Sequence, residues 1–148
     1  MTPPRIIAIG SDHAGYELKT KISAWLTEKG YVVTDIGPDG TESVDYPDYG
    51  LAVGKAVASG EADRGVVVCG SGIGISIAAN RVPGARAANC TSGLMARLAR
   101  QHNDANILAL GERLIGVEVA CDALHEFLNT VFEGGRHQRR VDKLDSGA

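Results

Sequence analysis

The sequence predicts a doubly wound α/β fold: one domain, built as a three-layer α/β/α sandwich around a five-stranded parallel sheet. Three observations carry that prediction. Short apolar runs alternate with longer segments whose apolar residues recur at helical spacing, from one end of the chain to the other. Two of the runs, 6–9 and 66–69, are apolar without alternation, as strands covered on both faces of a parallel sheet are. No internal repeat or low-complexity linker divides the 148 residues, a length that suits one core rather than two.

Taken in order, strands are expected at 6–9, 31–36, 65–69, 85–88 and 106–110. Ala14, Leu18, Ile22, Trp25 and Leu26 share one face of a first helix, which Gly30 stops. Residues 37–48, rich in Gly, Asp and Pro, read as a surface loop. Leu51, Val53, Ala56 and Val57 mark a second helix closed by Gly60, and a third spans 72–80. Leu94, Leu98 and Ala99 mark a fourth; Val117, Ala120, Leu124, Phe127 and Leu128 mark a fifth. Gly134-Gly135 then breaks the chain, so 134–148 reads as a basic helical appendage with a short helix near 136–145.

Composition narrows the function classes. A formal net charge of -3 exerts no general attraction for nucleic acid or anionic membrane. The local exception is Arg136-His137-Gln138-Arg139-Arg140, where an anion site is to be sought. Three cysteines with no C-x-x-C spacing argue against a disulfide framework or zinc site and fit a reducing cytosol. The start, Met1 to Arg5, leads into only a few apolar residues. The expectation is therefore no signal peptide, no membrane span and a cytoplasmic location.

In open parallel sheets ligands bind beyond the carboxyl ends of the strands. That rule selects Gly10-Ser11-Asp12-His13, Cys69-Gly70-Ser71-Gly72-Ile73-Gly74 and Gly111-Glu112-Arg113. The second can aim several backbone N–H groups at one anion, with a helix dipole behind them. It is not a dinucleotide fingerprint, a P-loop or a phosphotyrosine-phosphatase loop, because Ile75 stands where those need glycine or arginine and no G-K-[ST] follows. A thiol opening such a nest ionises more readily than a free one. Cys69 is therefore either a base or nucleophile, or an inert cysteine at the end of a buried strand; Cys90 and Cys121 lack the turn and read as inert. Asp12 can cap a helix or serve a site. His102-Asn103 can simply place a favourable charge at a helix C-terminus. Arg136 and Arg140, four apart, form either a solvated face or a phosphate clamp, with Lys143 a turn further on.

Five separated blocks, together, resemble the type B ribose-5-phosphate isomerases, relatives of allose- and galactose-phosphate isomerases. They are Gly-Ser-Asp-His-Ala-Gly-Tyr-Glu-Leu-Lys (10–19), Asp-Tyr-Pro (45–47), Cys-Gly-Ser-Gly-Ile-Gly-Ile-Ser-Ile-Ala-Ala-Asn (69–80), Arg-Gln-His-Asn-Asp (100–104) and Glu-Gly-Gly-Arg-His-Gln-Arg-Arg (133–140). The resemblance implies a Rossmann-like domain that interconverts ribose 5-phosphate and ribulose 5-phosphate through an enediolate, in the non-oxidative pentose phosphate pathway. No metal and no organic cofactor are implied. It makes Cys69 the base; relatives without this cysteine use a glutamate further along the loop, where this chain has Gly74 and Ile75. It makes His102 the acid that opens the sugar ring, with Asp12 as its partner, and Ser71 a donor to the enediolate. Asp12, His13, Gly70, Ser71, Gly72, Ile73, Gly74, Asn103, Arg113, Arg136 and Arg140 become substrate-binding positions. The expected partner is a small phosphorylated sugar, not nucleic acid or membrane. The expected assembly is a homodimer, in some members a dimer of dimers. Since His102 precedes the fifth strand and Cys69 ends the third, the two fall on opposite sheet edges, and a shared site between subunits is expected. A six-carbon substrate such as allose 6-phosphate and a non-catalytic sugar-phosphate sensor are the alternatives.

Overall fold

In the computed structural model, which describes residues 2–147, five strands form one sheet. They are β1 (Ile6–Ser11), β2 (Val32–Gly37), β3 (Arg64–Cys69), β4 (Ala87–Asn89) and β5 (Ile107–Gly111). All pairings are parallel, and the spatial order is β2-β1-β3-β5-β4. Six α-helices connect and flank them: α1 (Tyr16–Glu28), α2 (Tyr46–Ala58), α3 (Ile73–Asn80), α4 (Gly93–Asn103), α5 (Val117–Asn129) and α6 (Arg136–Ser146).

The central strands are buried on both faces, and their alternate residues feed two separate cores. Ile7, Ile9, Val66, Val68, Leu108 and Leu110 pack with Leu18, Ile22 and Leu26 of α1 and with Ala120, Leu124 and Phe127 of α5. Ala8, Val67, Cys69, Ile107 and Ala109 face the other way, onto Val53 and Val57 of α2 and Ile75 and Ala79 of α3. This two-sided burial is what the unbroken apolar runs anticipate, and it is the main stabilising contribution to a sheet of this kind.

Several boundaries differ from the sequence reading, each for a physical reason. Residues 13–15 form a 3-10 turn, so α1 begins at Tyr16 and not near Ala14, and Asp12 caps the turn through Gly15. The loop expected at 37–48 ends earlier, because Pro47 sits in the first turn of α2, where its missing N–H has no helical partner to lose. On α4 two of the three expected apolar residues point outward. Leu94 and Leu98 are exposed, while Gly93, Ala96, Ala99 and the aliphatic stem of Arg100 pack inward. Small residues let α4 approach α5 closely, and Arg100 satisfies its charge on Asp104 and the carbonyls of Ala105 and Thr130. The appendage contributes α6, which lies against α4 and buries His137 and Val141; Met1 and Ala148, the ends of the expected domain, lie outside the described residues.

Two features place the site. The chain leaves β1 for β2 on one side and comes back past it to β3 on the other, so a crevice opens between the carboxyl ends of β1 and β3. Gly15 holds the β1–α1 turn directly on β3: a Cβ there would meet the Val68 carbonyl oxygen at 2.5 Å. Gly15→Ala is expected to lower unfolding free energy by about 2 kcal/mol through overpacking, read as a lower urea midpoint with an unchanged slope.

Candidate active site

The site grows from the end of β3. The strand is buried from Gly65 to Cys69, which is only 5% exposed, and the chain then turns into α3. Gly72 makes the turn possible with φ +78, a left-handed conformation that favours glycine. Its amide donates to Cys69 Sγ at 3.1 Å, and the Ile73 amide donates to Ser71 Oγ at 3.2 Å. The Gly74 and Ile75 amides that follow precede the first helical bond, which Ser76 makes to the Gly72 carbonyl, and they sit at the positive end of the helix dipole.

Neighbouring elements lock this turn in place. After β5 the Glu112 amide donates to the Cys69 carbonyl and the Arg113 amide to the Gly70 carbonyl, both at 2.9 Å. The Glu112 carboxylate then reaches across to accept the Leu18 amide at 2.7 Å, capping α1. The Arg113 guanidinium lies over Gly70, where a Cβ would come 3.2 Å from one of its nitrogens. On the β1 side Asp12 is buried, its Oδ1 accepting the Gly15 amide at 3.0 Å. His13 Nδ1 accepts the Val44 amide at 3.2 Å, so in the neutral ring the proton sits on Nε2.

Together these residues line a cavity of about 360 Å³. Asp12 and His13 form one wall, Cys69, Gly70, Ser71 and Gly74 the floor, and Arg113 the other wall. Its size is at the small end for ligand sites, suited to a compact polar molecule. A guanidinium, loop amides and a thiol together can bind an anion at one end and stabilise negative charge developing at the other.

Four expected site residues lie elsewhere in the subunit. His102 and Asn103 end α4, and Arg136 and Arg140 stand exposed on α6. These helices meet near the amino edge of the sheet, where β5 begins, whereas Cys69 pairs with Gly111 at its carboxyl edge. A five-residue strand separates the edges by roughly 16 Å. Asn103 lines a different hollow of about 610 Å³, between the α3–β4 loop and residues 144–147. The His102 ring stacks on His137, centroids 4.6 Å apart and planes 15° from parallel. Burial first, then Arg136 and His102, push the His137 imidazolium pKa down, and Glu133 opposes them. Ligand atoms of His102, Glu133 and His137 lie within 4.8 Å of one another, close enough to consider a metal ion. Parallel rings direct their lone pairs into separate planes, however, and the adjacent arginines disfavour a cation, so the cluster is poorly built for one.

Comparison with known proteins follows the same outline. The family model for Ribose/Galactose Isomerase matches residues 7–144. The chain belongs to that family. It is 49% identical to ribose-5-phosphate isomerase B of Escherichia coli (strain K12) over 138 residues, 93% of each chain. It is 42% identical to a D-erythrulose-4-phosphate isomerase of Pectobacterium atrosepticum, covering 93% of this chain and 91% of the other. Among solved structures it resembles Clostridium thermocellum ribose-5-phosphate isomerase B, with TM-score 0.94, 59% identity and 95% of each chain covered. It also resembles Trypanosoma brucei type B ribose 5-phosphate isomerase, with TM-score 0.94, 48% identity and full coverage of both chains. Membership makes this chain an aldose–ketose isomerase.

In this isomerase two contributors to the site escaped the sequence reading. Tyr46, at the start of α2, lays its ring on Gly74, where a Cβ would come within 2.7 Å of it, and so forms part of the cavity rim. Its place in the block at 45–47 was visible; its contact with a residue 28 positions away was not. Glu112 lay beside a flagged arginine, but its capping of α1 depends on tertiary approach. Glu112→Ala is expected to destabilise the fold by about 1 kcal/mol and Glu112→Gln, which keeps an acceptor oxygen, by clearly less, as measured by chemical denaturation.

Proposed function

We propose that the chain interconverts D-ribose 5-phosphate and D-ribulose 5-phosphate, with Cys69 moving a proton between C1 and C2. One observation supports this above the others: Cys69 Sγ accepts the Gly72 amide at the floor of a cavity walled by Arg113 and His13. That contact fixes the sulfur at the mouth of the glycine turn, where a base acting on a bound sugar would stand. The thiolate takes the proton beside the carbonyl, the electrons move onto the carbonyl oxygen, and the enediolate oxygens meet the loop amides and the Ser71 hydroxyl. Losing one such donor costs about 3 kcal/mol in comparable sites. Return of the proton to C1, with the O2 hydroxyl proton passing to O1, completes the isomerisation. Cys69→Ala is expected to retain substrate binding, while exchange of the substrate C–H with solvent deuterium falls roughly 10²- to 10⁴-fold; near-normal exchange would remove Cys69 from the role of base.

The second part of the proposal is a homodimer with shared sites, in which His102, Asn103, Arg136 and Arg140 of one copy complete the cavity of the other. His102 would open the sugar ring, and the arginines would hold the phosphate with Arg113 and His13. Two features support it. The basic and imidazole groups sit at the edge of the sheet away from Cys69 within one chain. In addition, α3 and α4 flank the three-residue edge strand β4 and expose apolar rows, Ile73 and Ile77 on one and Leu94 and Leu98 on the other. Those rows suit burial against a second copy. When Cys69→Ala and His102→Asn chains are co-refolded, random pairing leaves about a quarter of all sites with both wild-type groups. Activity should return to about that fraction; proven mixed dimers that stay inactive would refute sharing.

The four-carbon relative shows that this fold serves substrates of different length. Comparing kcat/KM for the aldose phosphates of four, five and six carbons is expected to place the five-carbon sugar first.

A further inference from the structure

The His102–His137 stack is the most specific side-chain contact that the proposed chemistry leaves without a role. His137 is 6% exposed, and its Nε2 has no hydrogen-bond partner among the described residues. Glu133 Oε1 lies 3.6 Å from it, beyond hydrogen-bond length. Burying an imidazole without a partner is unfavourable, so packing for stability alone would be better served by an apolar ring. The surrounding backbone is nevertheless arranged to hold it. Gly134 and Gly135, with φ +66 and +56, turn the chain into α6, and the Glu133 amide donates to the Gln101 carbonyl beside His102 at 3.1 Å.

We propose that His137 is a positioning residue for ring opening: its buried ring, stacked face to face on His102, fixes the plane of the His102 imidazole. This rests on the reading of His102 as the ring-opening acid. In that step His102 gives a proton to the ring oxygen as the bond from C1 to that oxygen breaks. The C1 hydroxyl releases its own proton to the medium, and the aldehyde results. The acid must point one N–H at one oxygen, and a half-buried histidine at the end of a helix has freedom to rotate away. A flat ring packed against it removes that freedom. The partner is also suited electrically. Two stacked imidazolium ions would repel, and burial, together with Arg136, His102 and Arg140, lowers the His137 pKa against the pull of Glu133.

Ring opening can be measured apart from isomerisation. In a Cys69→Ala background the protein should still speed exchange between the α and β anomers of ribose 5-phosphate, which requires opening but not the base, and NMR exchange spectroscopy reads that rate. His137→Ala is expected to slow enzyme-dependent anomer exchange roughly 10- to 100-fold. His137→Phe, which keeps a flat ring but cannot titrate or donate, should restore most of it. Ring-current shifts on the His102 imidazole protons should disappear in the alanine variant and persist with phenylalanine. With Cys69 restored, the alanine variant should lose turnover of ribose 5-phosphate. It should keep turnover of erythrose 4-phosphate, which cannot close a furanose because its O4 carries the phosphate. If His102→Asn leaves anomer exchange untouched, the ring-opening reading itself fails. If His102→Asn abolishes exchange while His137→Ala, shown to be folded by its circular dichroism, does not slow it, the positioning role is wrong. Equal losses on both sugars, or no rescue by phenylalanine, would likewise overturn it; should the alanine variant not fold, the phenylalanine variant decides, since a folded His137→Phe with exchange as slow as in His102→Asn would refute positioning by stacking.

Discussion

The site depends on one turn being held rigid: the passage from β3 into α3 through Cys69, Gly70, Ser71 and Gly72. A parallel strand buried on both faces cannot shift sideways without breaking its pairing with β1 and β5, so the position of Cys69 is set by the sheet. What the sheet does not determine is the direction of the amides beyond it. That task falls to the β5–α5 segment, whose Glu112 and Arg113 amides take up the Cys69 and Gly70 carbonyls. With the carbonyls engaged behind the loop, the N–H groups are left facing forward. The same segment carries Arg113 over the loop and, through Glu112, ties in the start of α1. Stability and chemistry are thus coupled here: the bonds that close the fold around β3 also orient the donors an enediolate would need.

That coupling explains what could be read from the sequence. Glycines at a strand-to-helix turn reveal themselves, because a left-handed residue such as Gly72 and a loop crowded by Arg113 and Tyr46 leave little room for other side chains. The burial of β1 and β3 was legible for the same local reason, since both runs lack polar residues. Strand order was not. β5 lies between β3 and β4, and nothing in the spacing of residues 85–110 distinguishes that insertion from a simple outward progression. The face of α4 was misjudged because hydrophobicity marks Leu94 and Leu98, whereas the inward face is made of glycine, alanine and one fully engaged arginine. Apolar side chains on a helix can announce a neighbouring molecule as readily as a core.

The stacked histidines belong to the part no local pattern reveals. His102 and His137 lie on different helices, and their meeting depends on the left-handed pair Gly134-Gly135 and on a backbone bond from Glu133 to Gln101. Such contacts can be inferred only after α6 has been placed on α4. Sequence blocks marked both neighbourhoods as important, but residue types alone could not say that the two histidines share one surface.

The separation of the two clusters follows from the size of the domain. In the proposed chemistry the base needs hydrogen-bond donors around it, and the acid for ring opening needs to retain its proton. In this fold the thiol has the amide-rich carboxyl edge, and the histidine pair has the opposite edge, a strand's length away. Each group therefore keeps an environment matched to its task until two surfaces meet, and the exposed rows on α3 and α4 supply an apolar contact by which a second copy would bring them together. Under the proposed sharing, a dimer would let a short chain present in one cavity an acid and a base that its single sheet carries on opposite edges.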